Sequence, residues 1–345
     1  MIHEFIEIIQ SYKAAKQNYI RSVIATVVGL DGSSYRKPGV RMLIHENGYM
    51  TGAVSGGCVE NEILKQSHSV FNTGIPKIIT YDGRYRLGCE GVLYILIERF
   101  DPEPEMLISF EECLKNRNSL LINSYFDKNV GGNPDFGSVI HFGKNKNYPF
   151  CALEGFRKIE RSNLEIFSQM QNPLFRLIII GAEHDAVQLS KQANSLGWEV
   201  IIVAGLSNPK ELESFQGANK ILNSSANDFD LSLIDKNSAI LLMTHNYARD
   251  LQFLTRIKES FPAYIGLLGA TNRRERLLNE FIERNPDVEA SFLDRIYAPT
   301  GLNIGAISPQ EIALSICAEI LSVIRKAEPK PLKSLTGSIH QSIMD

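Results

Sequence analysis

The chain has 345 residues, 44% hydrophobic and 22% charged, with a net charge of −3. This is the composition of an ordinary globular protein, and the length exceeds what one core usually organises, so two domains are expected. The absence of a basic block or RNA motif excludes nucleic acid as an expected partner, and no apolar run approaches the roughly 20 residues that span a bilayer. Five cysteines, odd in number and without a CxxC pair, argue against a disulfide framework and a structural zinc site.

In chain order, Ile2, Phe5, Ile6 and Ile9 at helical spacing give an amphipathic N-terminal helix rather than a signal peptide, so a cytoplasmic protein is expected. Residues 20–28, rich in Val, Ile and Thr, read as a strand. The next stretch holds Ser33, Ser34, Arg36, Lys37, Pro38, Gly39 and Arg41. Two hydroxyls, three cations and a rigid turn suit either a surface loop or a socket for an anion.

Asn47-Gly48 between residues 41–45 and 49–53 predicts a tight hairpin with both turn residues at positive φ. Gly56 and Gly57 then lead into Cys58 and a helix that stops at Gly74. A cysteine in a first helical turn has its thiolate favoured by free amides and the helix dipole, as a nucleophile or metal ligand; it also fits as a small buried hydrophobe. Residues 77–81 and 92–97 predict two more strands, the second apolar enough to be central. Between them Cys89, flanked by glycine, is a second candidate ligand. A helix over residues 103–115, a strand near Leu120 and a hairpin tip at residues 129–135 carry no functional signal.

A second domain is expected over residues 173–328, after a first domain of residues 1–172 and before a tail of residues 329–345. Strand 176–180, a helix to Leu196 and strand 199–203 make a βαβ unit. Alternation continues through strand 239–243, helix 247–260, strand 263–268 and helix 272–284. Ser308-Pro309-Gln310-Glu311 opens the last helix with a capping box. The fold class is therefore α/β, a mixed N-terminal domain followed by a Rossmann-like parallel sheet.

The dinucleotide fingerprint needs a glycine where the pyrophosphate approaches and an acid about 20 residues on. This chain has Gly181, Glu183 and Ala186, and no acid after Val203, so NAD(P) is not expected. The carboxyl edge of the sheet nevertheless gathers His245, Gly269, Arg273, Arg274 and residues 299–305. Arg273 and Arg274 in a first helical turn suit an anion or a salt bridge. His245 reads as a satisfied polar residue or an acid/base group, with no Ser/Asp arrangement nearby.

The runs GSSYRKPGVRMLI, GAVSGGCVENEI and LGCEGVLYILIE resemble the N-terminal signature of the XdhC/CoxI family, maturation factors of molybdenum hydroxylases such as xanthine dehydrogenase. The runs YIGLLGATNRRERL and APTGLNIGAISPQEIALSICAEIL resemble the second domain of that family. The resemblance implies a non-enzymatic factor that binds molybdenum cofactor, shelters it while its terminal sulfur is installed, and delivers it to the hydroxylase apoenzyme. It also implies a homodimer, and it makes a cysteine desulfurase a further partner to consider.

On this reading the cofactor lies between the domains. It is bound by Ser33, Ser34, Arg36, Arg41, Gly56, Gly57, Cys58 and Cys89 on one side and by Gly181, His245, Gly269, Arg273 and Arg274 on the other. Cys58 and Cys89 supply thiolates to molybdenum, and Arg36, Arg41 and Arg273 face the pterin phosphate. Glu90 departs from the usual glycine of the family, placing a negative charge beside the Cys89 thiol. Two other classes stay open: an NAD(P)-dependent oxidoreductase with His245 as acid/base, and an interaction adaptor without a small-molecule site.

Overall fold

The computed structural model describes residues 2–32, 37–54, 57–82, 91–151 and 164–334. The chain divides into two compact units, Met1–Pro173 and Leu174–Asp345.

The first unit runs α1 (Ile2–Gln17), β1 (Ser22–Asp31), β2 (Arg41–His45), β3 (Met50–Gly52), α2 (Cys58–Thr73), β4 (Lys77–Asp82), β5 (Val92–Arg99) and α3 (Pro104–Lys115). It continues through β6 (Leu120–Phe126), β7 (Gly131–Gly132), β8 (Gly137–Phe142), β9 (Lys146–Pro149) and β10 (Glu165–Gln171). A six-stranded antiparallel sheet has the order β3-β2-β1-β5-β4-β7, and a second sheet the order β10-β6-β8-β9. β1 is buried on both faces from Ser22 to Val28, with successive side chains pointing to opposite sides. Val23, Ala25 and Val27 join Met42, Ile44, Ile95 and Ile97 against Val59, Ile63 and Val70 of α2. On the other face Val28, Ile78 and Leu96 pack with Phe126 and Phe136. The strand expected to be central, β5, lies between β1 and β4.

Two local expectations change. The β2–β3 turn is a three-residue loop: the His45 N–H donates to Tyr49 O at 2.9 Å, and Gly48 has φ 86° whereas Asn47 is not left-handed. A type I turn closed by a left-handed glycine needs only one positive φ, and Asn47 Oδ1 accepts the Tyr49 N–H at 3.0 Å instead. The supposed hairpin tip also does more than turn, because Gly131 and Gly132 pair with Ile78 and Lys77 as an edge strand of the first sheet.

The second unit comprises β11 (Arg176–Ile180), α4 (His184–Ser195), β12 (Glu199–Ala204), β13 (Lys220–Asn223), β14 (Ser238–Leu242) and α5 (Tyr247–Arg256). It then runs through β15 (Tyr264–Leu267), α6 (Thr271–Arg284), α7 (Ala290–Leu293), β16 (Ile296–Tyr297) and α8 (Pro309–Ile324). Its sheet is parallel, in the order β13-β12-β11-β14-β15-β16. Unbroken apolar runs such as Leu177-Ile178-Ile179-Ile180 follow from burial on both faces. Ile178, Ile180 and Ile240 pack with Leu251, Leu254 and Phe281 of α5 and α6. Ile179, Ile202 and Leu241 pack with Leu189, Ile316 and Ile320 of α4 and α8. Strand order reverses between β11 and β14, so the ligand-binding crevice of this architecture lies outside their carboxyl ends. Among the described residues no helix is long and apolar enough to cross a membrane.

Candidate functional site

At the switch point the backbones of the two strand ends nearly touch. Gly181 has φ 136°, donates its N–H to Val203 O at 3.0 Å, and carries no Cβ because one would fall 2.3 Å from Met243 O. Strand-to-strand packing alone therefore demands glycine here. Glu183, exposed and extended, is the N-cap residue of α4, so a carboxyl side chain stands at the helix end that receives pyrophosphate in dinucleotide folds.

Across the crevice the loop after β14 holds His245 with φ 53°. A non-glycine residue in the left-handed region is uncommon and concentrates where structure holds it for a purpose. Its Nε2 lies 3.7 Å from Asp185 Oδ2, in the first turn of α4, and its side chain is half exposed. Asp185 is 60 positions away in sequence, so local spacing could not reveal it.

Beneath the same loop, Thr244 donates to Asp250 Oδ1 from Oγ1 at 2.7 Å and from its N–H at 3.2 Å. Arg273 Nη2 donates to Asp250 Oδ2 at 2.5 Å. Burial pushes the Asp250 carboxyl above the ordinary aspartate range, although Thr244, Arg273 and His245 pull the other way. Arg273 is therefore engaged by an internal acid. Arg274 has a buried Nε without a hydrogen-bond partner, and Gly269, with φ 135°, leaves room for the Arg273 stem.

Arg249, which sequence reasoning did not single out, occupies the neighbouring corner. Its N–H is capped by Asn246 Oδ1 at 3.1 Å. Its guanidinium covers Gly205, the residue after β12, where a Cβ would fall 2.6 Å from Nη1 and 2.9 Å from both Cζ and Nη2. The available signal was the glycine at the position where an acid is usual.

The loop over residues 299–305 is fixed to α8. Gly301 N–H donates to Glu319 Oε2 at 2.8 Å, Ser315 Oγ donates to Leu302 O at 2.6 Å, and the Tyr264 hydroxyl joins Glu319 and Thr300. Burial, reinforced by Glu319, drives the Tyr264 phenol far above its ordinary pKa.

In the first unit, Cys58 opens α2 behind Gly57, whose φ is 94°. The Glu60 carboxylate accepts the N–H of Gly57 at 2.5 Å and of Val54 at 3.1 Å. That negative charge sits at the helix end expected to favour the Cys58 thiolate, and it offsets part of the dipole. Arg41 is buried: Nη1 donates to Gly39 O at 3.1 Å and to Gln169 Oε1, while Nε and Nη2 have no hydrogen-bond partner. Burial lowers its guanidinium to about 10. Ser33, Ser34, Arg36, Gly56, Cys89 and Glu90 lie outside the described residues.

Gly181, His245, Gly269, Arg273 and Arg274 thus share the carboxyl edge of the second unit's sheet, whereas Gly57 and Cys58 stand at one helix start of the first unit and Arg41 in its interior. Among the described residues, no group of three or more His, Cys, Asp or Glu side chains could hold a metal ion.

These features define an α/β protein whose second unit is a Rossmann sheet with a polar carboxyl edge and an altered dinucleotide fingerprint. The chain belongs to the XdhC and CoxI family: the family model so described matches residues 16–82, and that of the XdhC Rossmann domain matches residues 177–320. It is 28% identical over 333 residues, 88% of this chain and 94% of the relative, to a probable xanthine dehydrogenase subunit of Bacillus subtilis (strain 168). It is 24% identical over 307 residues, 88% of this chain and 83% of the relative, to the molybdenum cofactor insertion chaperone PaoD of Escherichia coli (strain K12). A crystal structure of a xanthine dehydrogenase from Bacillus halodurans is similar with a TM-score of 0.76 at 28% identity, covering 94% of this chain and 98% of that one.

Proposed function

We propose that the protein binds molybdenum cofactor and serves as a maturation factor, sheltering the cofactor and delivering it to a xanthine dehydrogenase-type apoenzyme. The observation that carries this reading is the similarity to a molybdenum cofactor insertion chaperone along 83% of that protein's length. The second unit's edge offers polar groups to a ligand: His245 is held on a left-handed backbone beside Asp185, and the loop over residues 299–305 is fixed by Glu319. In the first unit Cys58 is the soft donor suited to molybdenum, with its backbone placed in the first turn of α2. When bound, the cofactor supplies the molybdenum centre used by the client hydroxylase; this chain's residues bind it and exclude water.

Sulfuration with a cysteine desulfurase, a homodimeric state and a cytoplasmic location belong to the same proposal. A nicotinamide oxidoreductase is the weaker reading, because Glu183 and Gly205 replace the groups that would hold pyrophosphate and ribose. The test is activation of a cofactor-free hydroxylase by the cofactor-loaded protein. Recovery faster than with an equal amount of free cofactor is expected, and recovery no faster would overturn the delivery role.

A further inference from the structure

The corner of the second unit's sheet beyond β12 has the opposite electrostatic sign to an NAD site. In dinucleotide folds this strand end presents an acid to the ribose hydroxyls, or lies near an arginine where the ribose carries a phosphate. Here β12 runs directly into Gly205, and the side chain over that glycine is Arg249. The approach of Nη1, Cζ and Nη2 to within 2.9 Å of the Cβ position means that the guanidinium packs over the glycine, and any side chain at residue 205 would displace it.

The guanidinium makes no hydrogen bond or ion pair among the described residues, in contrast with Arg273, which is engaged by Asp250. A planar fork of unengaged donors matches the oxygens of a phosphate or carboxylate two at a time. Two further observations bear on the corner. Glu183 stands at the α4 end of the crevice, which disfavours a second anionic group there. His245 lies four residues before Arg249, with its Nε2 turned to Asp185.

We infer that Arg249 over Gly205 is the seat of a phosphomonoester, the terminal phosphate of a heterocyclic ligand whose ring system occupies the crevice between the ends of β11 and β14. The inference rests on the cofactor-binding reading and deepens it: the phosphate-holding cation of the second unit is Arg249 in place of Arg273. Gly205 is part of the seat, since it lets the guanidinium lie on the backbone.

The test uses the full chain and two probes, molybdopterin and its phosphatase-treated form, measured by equilibrium binding. Wild type is expected to prefer the phosphorylated probe by about ten- to a hundredfold, the usual worth of hydrogen bonds to a charged group. Arg249→Gln should abolish that preference while leaving affinity for the dephosphorylated probe unchanged, a pattern that a merely structural role would not give. Arg249→Lys should keep part of it, and Gly205→Asp, which supplies an acid to pair with Arg249, should abolish or invert it. Equal binding of both probes by wild type, or full preference in Arg249→Gln, overturns the seat and leaves cofactor binding standing. Binding of neither probe overturns the cofactor reading instead. The seat is then judged by ³¹P line broadening of inorganic phosphate, which must be present in wild type and absent in Arg249→Gln, or it too is overturned.

Discussion

Replacing Arg273 with alanine removes the cationic partner of a buried acid at the site. Asp250 is 2% exposed, Arg273 Nη2 lies 2.5 Å from its Oδ2, and both donated bonds from Thr244 go to Oδ1. Arg273→Ala therefore leaves Oδ2 of a buried carboxylate without that charge beside it. Breaking a fully buried pair costs about 3–5 kcal/mol; with the Arg273 side chain 28% exposed and Thr244 still donating, about 2–3 kcal/mol is expected here.

For a unit of this size that corresponds to a fall in Tm of about 4–12 °C. Trp198, the single tryptophan, is buried in the second unit, so its fluorescence follows this unit's unfolding in urea. The pH dependence has a definite sign. The folded-state pKa of Asp250 is already raised by burial, and losing Arg273 raises it further. The native carboxyl then holds its proton more tightly than the unfolded one, so the associated stability is complete below the ordinary aspartate pKa and is lost as pH rises through the folded value. The deficit of the variant should accordingly be small near pH 4 and full near pH 7. Adding Asp250→Asn to Arg273→Ala should recover part of the loss. A deficit below about 0.5 kcal/mol at pH 7 would refute the argument and release Arg273 for ligand binding.

Limiting iodoacetamide at neutral pH should label Cys58 before Cys113, Cys151 and Cys317, thiols whose pKa values burial raises, to about 11 for Cys151 and about 12 for Cys317. Glu60→Gln should speed labelling of Cys58 about two- to fivefold by removing the charge at that helix start; an unchanged rate in mass mapping would show that Glu60 does not act on the thiol. Gly181→Ala should destabilise the second unit by about 2–4 kcal/mol in the same urea assay, because its Cβ meets the Met243 carbonyl at positive φ. Tolerance of that alanine would mean that the strand ends can separate. Calorimetric titration of NAD, NADH, NADP and NADPH should show no micromolar binding, and Glu183→Gly alone should not create it, since no ribose acid follows β12; tight binding of any of the four would favour the oxidoreductase reading.

Much of the second unit is legible in the sequence because its central strands are buried on both faces and appear as unbroken Ile, Val and Leu runs between helical periods. The edge strands β13 and β16 are not legible: they are short, and no residue of Lys220-Ile221-Leu222-Asn223 is fully buried, so no apolar run marks it. In the first unit β1 and β5 are legible from their Val, Ile and Leu content, whereas their register, which shifts between Val27 and Gly29, is not. Nor is the pairing of Gly131-Gly132 with β4, since glycines leave no pattern. The thiol at the start of α2 is readable from Gly-Gly-Cys, whereas the charge that tempers it comes from Glu60 folding back on Gly57. The chemistry of the carboxyl edge depends on pairs distant in sequence: His245 with Asp185, Arg273 with Asp250, Arg249 with Gly205. Sequence places His245 and Arg273 near the right edge but misses Arg249 and does not tell an engaged arginine from a free one.

The most direct test of the account is the molybdenum and pterin content of the full-length protein purified from a molybdenum-replete host. Molybdenum and pterin should co-elute with the protein in a constant ratio, and Cys58→Ser, folded like wild type by circular dichroism, should lose most of both. Wild-type protein that carries neither, and takes up neither when supplied with cofactor in excess, would contradict it.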